Sequence, residues 1–129
     1  MSEEQATKTI LIVDDDRASR VLARSILQSL DPPCHILEAS GGQQALRVIE
    51  ASQPDIVLLD ILMPDMDGVS ICDAVKRNQR TKHTKILMVS ARRDERMIRA
   101  GLLAGADDYI TKPFTRQQLL AAIARFLTG

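Results

Sequence analysis

At 129 residues, with 45% hydrophobic and 26% charged side chains, the chain has the size and balance of one globular domain with an ordinary core. Basic and acidic side chains are equal in number, so the formal net charge is zero and no global field points to nucleic acid or an anionic membrane. No apolar run approaches the roughly 20 residues that a membrane span requires, and the opening MSEEQATK is polar and acidic, unlike a signal peptide.

Residues 1–7 read as a polar tail on a single domain, 1–129. The first strand, Ile10–Val13, is an unbroken apolar run that stops at Asp14, Asp15 and Asp16. A helix is expected over Ala18–Leu30, with Ala18, Leu22, Ile26 and Leu30 at four-residue spacing and Val21 and Leu27 beside them. Pro32-Pro33 then forces a non-helical connection. A weaker strand, His35–Ala39, precedes a helix over Gly42–Ala51, whose Ser40-x-x-Gln43 start fits a capping box. The run Ile56–Leu59 ends at Asp60, and a helix over Val69–Arg77 follows the loop ILMPDMDG. Ile86–Val89 ends at Ser90; the next helix, Met97–Ala104, has Asp94 as its cap and Gly105 as its stop. The last strand, Asp108–Thr111, ends at Lys112, and Thr115-x-x-Gln118 supplies a second capping box for the closing helix, Gln117–Leu127.

The strong strand runs do not alternate polar with apolar, as expected of parallel strands buried on both faces. Five strand–helix pairs imply right-handed crossovers and a sheet covered on both sides. Cys34 and Cys72 are far apart and read as reduced thiols of a cytoplasmic protein. His35 and His83 lack the clustered partners that zinc needs.

In open parallel sheets the ligand lies beyond the carboxyl ends of the strands. Those ends carry Asp14, Asp15 and Asp16, then Asp60, Ser90 and Lys112, whereas the second strand ends in Glu38-Ala39-Ser40 with no comparable group. One such aspartate alone would be read as a helix cap. Acidic pair, single Asp, hydroxyl and amine on one rim point instead to a site. Clustered carboxylates call for a hard cation such as Mg²⁺. A lysine opposite is a point-charge phosphate binder, a hydroxyl can donate to a phosphoryl oxygen, and a carboxylate can carry the group as an aspartyl phosphate.

The segments ILIVDDD, EASGGQQAL, PDIVLLDILMPDMDG, KILMVSA and GADDYITKPF, in this order and spacing, resemble the receiver domain of bacterial two-component response regulators from Lys8 to about Leu127. The likeness is to chemotaxis-regulator-like domains. It implies a flavodoxin-like (βα)5 three-layer sandwich with a parallel five-stranded sheet in the order 2-1-3-4-5. It also implies that Asp60 is the phosphoacceptor, and that Asp14, Asp15, Asp60 and the backbone carbonyl of Leu62 hold Mg²⁺ (or Mn²⁺). By the same likeness Lys112 contacts phosphate, Ser90 is the switch hydroxyl and Tyr109 the switch aromatic. Lys112–Pro113 matches a cis peptide, and Gly68 a turn glycine. Asp16 reads as the cap of the helix starting near Arg17. The implied partners are a sensor histidine kinase or histidine phosphotransfer protein, and a downstream protein or fused output domain. Phosphorylation-dependent dimerisation through the fourth and fifth units is left open.

Leu62, two past Asp60, and Arg92, two past Ser90, are expected to slow water attack on the aspartyl phosphate. From Lys76 to Arg99 nine basic side chains face two acidic ones; a solvated surface is the default reading, a docking face for an acidic partner the second, and direct DNA binding is not expected. ILIVDDDRA is also similar to the opening of haloacid-dehalogenase-type phosphatases. That alternative needs a lysine before the later acidic pair, whereas Lys112 follows Asp107-Asp108, and it leaves LLDILMPDMDG unexplained. A receiver that has lost phosphorylation is a further alternative, although every chemical residue is present.

Overall fold

The computed structural model describes residues 7–91 and 95–127. The expected N-terminal tail (apart from Thr7), Arg92, Arg93 and the expected cap Asp94 lie outside the described residues. Five strands alternate with five helices among the described residues: β1 (Thr9–Val13), α1 (Arg17–Leu27), β2 (His35–Ala39), α2 (Gly42–Ser52), β3 (Ile56–Asp60), α3 (Gly68–Arg77), β4 (Lys85–Ser90), α4 (Glu95–Leu103), β5 (Asp108–Thr111) and α5 (Arg116–Leu127). All pairings are parallel and the order is β2-β1-β3-β4-β5, the arrangement implied by the resemblance. No described helix is long and apolar enough to cross a membrane.

Side chains alternate across a strand, so each buried run feeds two cores. Ile10, Ile12, Ile56, Leu58, Leu87 and Val89 face α1 and α5, where Ala23, Ile26, Leu27, Leu119 and Ile123 close the packing. Leu11, Val13, Val57, Leu59, Ile86 and Met88 face the opposite layer, with Ala45 and Ile49 of α2 and Ile71, Cys72 and Val75 of α3. Edge strands β2 and β5 are less buried, which is why their apolar runs are weaker. Gly101 lets α4 approach Met88: a Cβ there would fall 2.0 Å from its sulfur.

The apolar stripe of α1 differs from the expected one. Ala23, Ile26 and Leu27 are buried, whereas Val21 and Leu22 are 56% and 53% exposed. A four-residue spacing drifts by about 40° per step on a helix of 3.6 residues per turn. Ala18 and Leu22 have therefore rotated off the face that Ile26 occupies. The helix also ends at Leu27 rather than Leu30, closing with Ser29 and Leu30 amides on the Ile26 and Leu27 carbonyls. The connection beyond it contains a cis Asp31–Pro32 peptide.

Caps follow local chemistry in three places. Asp16 accepts from the Ser19 amide at 3.1 Å and its hydroxyl at 2.8 Å. Asp67 does the same for Ser70. Thr115 and Gln118 form the reciprocal box, at 2.8 and 3.0 Å. The box expected at Ser40 and Gln43 is absent. Gln44 accepts from Ser40, and the α2 amides of Gly42 and Gln43 are satisfied by Asp65 at 2.9 and 3.1 Å, from the β3–α3 loop. These bonds hold the Asp65 carboxyl below its usual range. The cap has been supplied across space, so α2 is pinned to the segment that follows Asp60.

That segment is held closely at its far end too. The Gly68 amide donates to the Ile61 carbonyl at 2.7 Å, and a Cβ on Gly68 would lie 2.8 Å from Ile61 Cα and 2.9 Å from the Asp60 carbonyl oxygen. Both are backbone atoms that cannot step aside. Gly105, with φ +113°, ends α4 against Lys76, as expected of a stop.

Two outcomes test this packing. Leu59→Ala, in the core, is expected to lower the unfolding free energy by about 2–5 kcal/mol, while Leu22→Ala changes it by less than about 0.5 kcal/mol, both read from urea denaturation. Gly68→Ala is expected to cost about 1–3 kcal/mol as an overpacking substitution, with amide shifts concentrated in residues 60–68 on NMR spectra.

Candidate functional site

Parallel pairing places the ends of β1, β3, β4 and β5 on one rim. Asp60 pairs in register with Val89, and Ser90 with Thr111. On this rim Asp14, Asp15 and Asp60 each offer a carboxylate oxygen within 4.8 Å of the others. Asp14, Asp60 and Ser90 are buried, and Asp15 is exposed. The Lys112 ammonium donates to Asp14 Oδ2 at 2.7 Å and lies 3.8 Å from Asp60 Oδ2. The other oxygens of Asp14 and Asp60 are held by backbone: Asp14 Oδ1 accepts from the Asp16 amide at 2.9 Å, and Asp60 Oδ1 from the Leu62 amide at 3.3 Å.

Burial pushes the Asp60 carboxyl up to about 6; Lys112 opposes that rise and the charge of Asp14 adds to it. Burial also works against the Lys112 cation, but its hydrogen bond to Asp14 and the charges of Asp60 and Asp14 outweigh burial and leave the amine above its ordinary value. Asp60 is therefore costly to ionise alone, and the site gains from any further positive charge placed among its oxygens. An all-oxygen donor set of three carboxylates suits a hard divalent cation, so the residues present fit a metal.

Of the other expected site residues, Ser90, Pro113 and Leu62 lie beside this centre, whereas Tyr109, in register with Met88 rather than Val89, stands on the opposite face of the sheet. Lys112–Pro113 is cis, and the Lys112 amide donates to the Ser90 carbonyl at 2.7 Å, tying the lysine to the end of β4. Leu62 is 62% exposed at the rim, and Tyr109 on β5 is 41% exposed. Arg92 falls outside the described residues. A cavity of about 370 Å³ adjoins the carboxylates, lined by Leu22, Leu58, Val89 and Phe114 together with Asp14, Asp60 and Lys112. The outward position of Leu22 thus forms part of a wall beside the site.

Two features were missed from sequence. Glu38, at the end of β2, faces α1 and pairs with Arg20 at 3.1 Å and with Arg24. Arg24 and Arg20 hold its carboxyl below the ordinary range. Arg20 also donates to the Asp14 carbonyl at 2.8 Å. The available signal was two arginines four apart, on one face of a helix that starts at the acidic cluster. The second feature is that the start of the basic stretch is paired. Lys76 meets Asp107 at 3.1 Å, Arg77 meets Asp73 at 3.0 Å, and Arg80 meets Glu50 at 3.4 Å.

Comparison with known proteins agrees with the fold and with the family resemblance. Residues 10–124 match the family model of the response regulator receiver domain. The chain is 40% identical over 120 residues to the phosphate regulon transcriptional regulatory protein PhoB of Pseudomonas aeruginosa, covering 93% of this chain and 52% of that protein. It is 32% identical over 123 residues to protein PilG of the same organism, covering 95% of this chain and 90% of that one. Among solved structures, a CheY-like response regulator receiver domain protein from Methanospirillum hungatei superposes with a TM-score of 0.86 at 31% identity, covering 95% of this chain and 94% of that one. The family match runs through LLDILMPDMDG, the segment that the phosphatase alternative left unexplained. The chain belongs to the response regulator receiver domain family, the phosphoacceptor module of two-component systems.

Proposed function

We propose that Asp60 is the residue that accepts the phosphoryl group, from a phosphohistidine on a sensor histidine kinase or histidine phosphotransfer protein. The observation that carries this reading is the convergence of three carboxylates within 4.8 Å with an ammonium 2.7 Å from Asp14 and 3.8 Å from Asp60. A carboxylate oxygen of Asp60 attacks phosphorus, the P–N bond breaks, and the imidazole leaves. Lys112 lies where it can pair with an equatorial phosphoryl oxygen, stabilising charge that spreads in the transition state. Asp14, Asp15, Asp60 and the Leu62 carbonyl would hold Mg²⁺ (or Mn²⁺), which when bound supplies further positive charge against the phosphoryl oxygens. The Ser90 hydroxyl donates to the new phosphate, and Tyr109, exposed in this structure, turns inward. The surface of the fourth and fifth α/β units then shifts between two pre-existing populations.

The module works in the cytoplasm beside its kinase. Its readout passes to a downstream protein or a fused output domain, since PhoB extends well beyond the matched half. Docking of an acidic partner on the exposed Arg96 and Arg99 of α4 is a second use of that face.

Incubation with acetyl phosphate and Mg²⁺, read by intact mass, tests the assignment. The native chain gains one phosphoryl group; Asp60→Asn and Asp15→Ala gain none, and Lys112→Met labels about 10²-fold more slowly. Asp16→Ala labels normally and melts at a lower temperature. Label retained by Asp60→Asn would overturn the reading. For phosphoryl lifetime, Leu62→Asn is expected to release phosphate several-fold faster by admitting water at the rim; an unchanged time course removes Leu62 from that role.

A further inference from the structure

Asp15 is the exposed member of the acidic trio, and among the described residues no hydrogen bond holds its carboxylate. Its origin is therefore set by the backbone alone. The peptide joining Asp14 to Asp15 is a planar unit, so whatever fixes the Asp14 carbonyl also fixes where the Asp15 Cα lies, and the Asp16 amide bonded to Asp14 Oδ1 at 2.9 Å restrains the backbone on its other side. That carbonyl accepts from Arg20 Nη1 at 2.8 Å. The arginine lies in the first turn of α1, and its side chain is only 16% exposed. Its Nε donates to Glu38 Oε1 at 3.1 Å, while the second Glu38 oxygen takes Arg24, whose Nη2 donates to the Ile36 carbonyl at 3.1 Å. The rigid guanidinium fork therefore spans from β2 to the turn after β1. On the opposite side, the Asp14 amide donates to the Ala39 carbonyl at 3.1 Å.

We propose that Arg20 is a positioning residue for the acidic pair. By holding the Asp14 carbonyl it fixes the peptide from which Asp15 presents its carboxylate to a divalent cation, and Glu38 keeps the guanidinium in place. The inference rests on the assignment of Asp14 and Asp15 as cation ligands. Charge alone predicts the opposite sign. A cation beside the carboxylates repels Mg²⁺, so removing Arg20 would tighten binding if the residue acted only through its field. A purely structural role would lower the melting temperature and leave the affinity of the folded protein unchanged.

The test is the Mg²⁺ dissociation constant of the folded chain, from amide chemical-shift titration, in the native protein, Arg20→Ala and Arg20→Lys. Arg20→Ala is expected to bind about tenfold more weakly, the low end of the range for residues that orient metal ligands. Arg20→Lys keeps the charge and one donor and falls between. Unchanged or tighter binding by Arg20→Ala overturns the proposal. If Arg20→Ala does not fold, native-like affinity in Arg20→Lys overturns it instead. Labelling of the native protein by acetyl phosphate is run in parallel. Failure there defeats the functional assignment, whereas normal labelling with unchanged variant affinities defeats the positioning role alone.

Discussion

Three carboxylates within 4.8 Å of one another, answered among the described residues by the Lys112 ammonium, are the constraint around which this molecule is arranged. Two like charges about 4 Å apart repel by roughly 4 kcal/mol at the effective dielectric of a protein surface. The arrangement persists because rigid elements impose it. Asp14 and Asp60 stand at the ends of neighbouring strands buried on both faces, and those strands cannot slip without moving every core side chain. The same burial raises the Asp60 carboxyl to about 6. A group that is costly to charge, beside the Lys112 cation and the exposed carboxylate of Asp15, gains from a further positive charge.

The surrounding loops keep that arrangement from relaxing. The segment after Asp60 is clamped at both ends: Asp65 caps α2, and Gly68 packs its backbone onto Ile61. On the other side Arg20 and Glu38 tie the β1 turn to α1 and β2. The cis Lys112–Pro113 peptide lies directly after β5, and the Lys112 amide bonds the Ser90 carbonyl. Charge introduced at Asp60 therefore lies beside β4 and β5, whose far face carries the exposed Tyr109.

The strands were legible because buried parallel runs are continuous and apolar, and each boundary fell within one residue of expectation. Their polar end residues were legible for the same reason: a run such as IVLLD stops where the core stops. Cap residues close in sequence, such as Asp16 and the Thr115–Gln118 box, were also readable. What sequence hid was reach across space. Nothing local marks Asp65 as the cap of a helix more than 20 residues earlier, and Glu38 looked idle because its partners lie on α1. The α1 stripe was misplaced because a spacing of four rotates steadily off the buried face, so Leu22 ended at the wall of the site cavity rather than in the core.

The central claim is that the carboxylates repel and that a divalent cation relieves the repulsion. Chemical denaturation at pH 8, with and without Mg²⁺, measures this directly. Native protein is predicted to gain about 2.7 kcal/mol of stability when Mg²⁺ reaches 100 times its dissociation constant, whereas Asp60→Asn is more stable than the native chain without metal and gains less from it. Equal stability of the native chain with and without Mg²⁺, or a metal-free Asp60→Asn less stable than the native protein, would contradict the account.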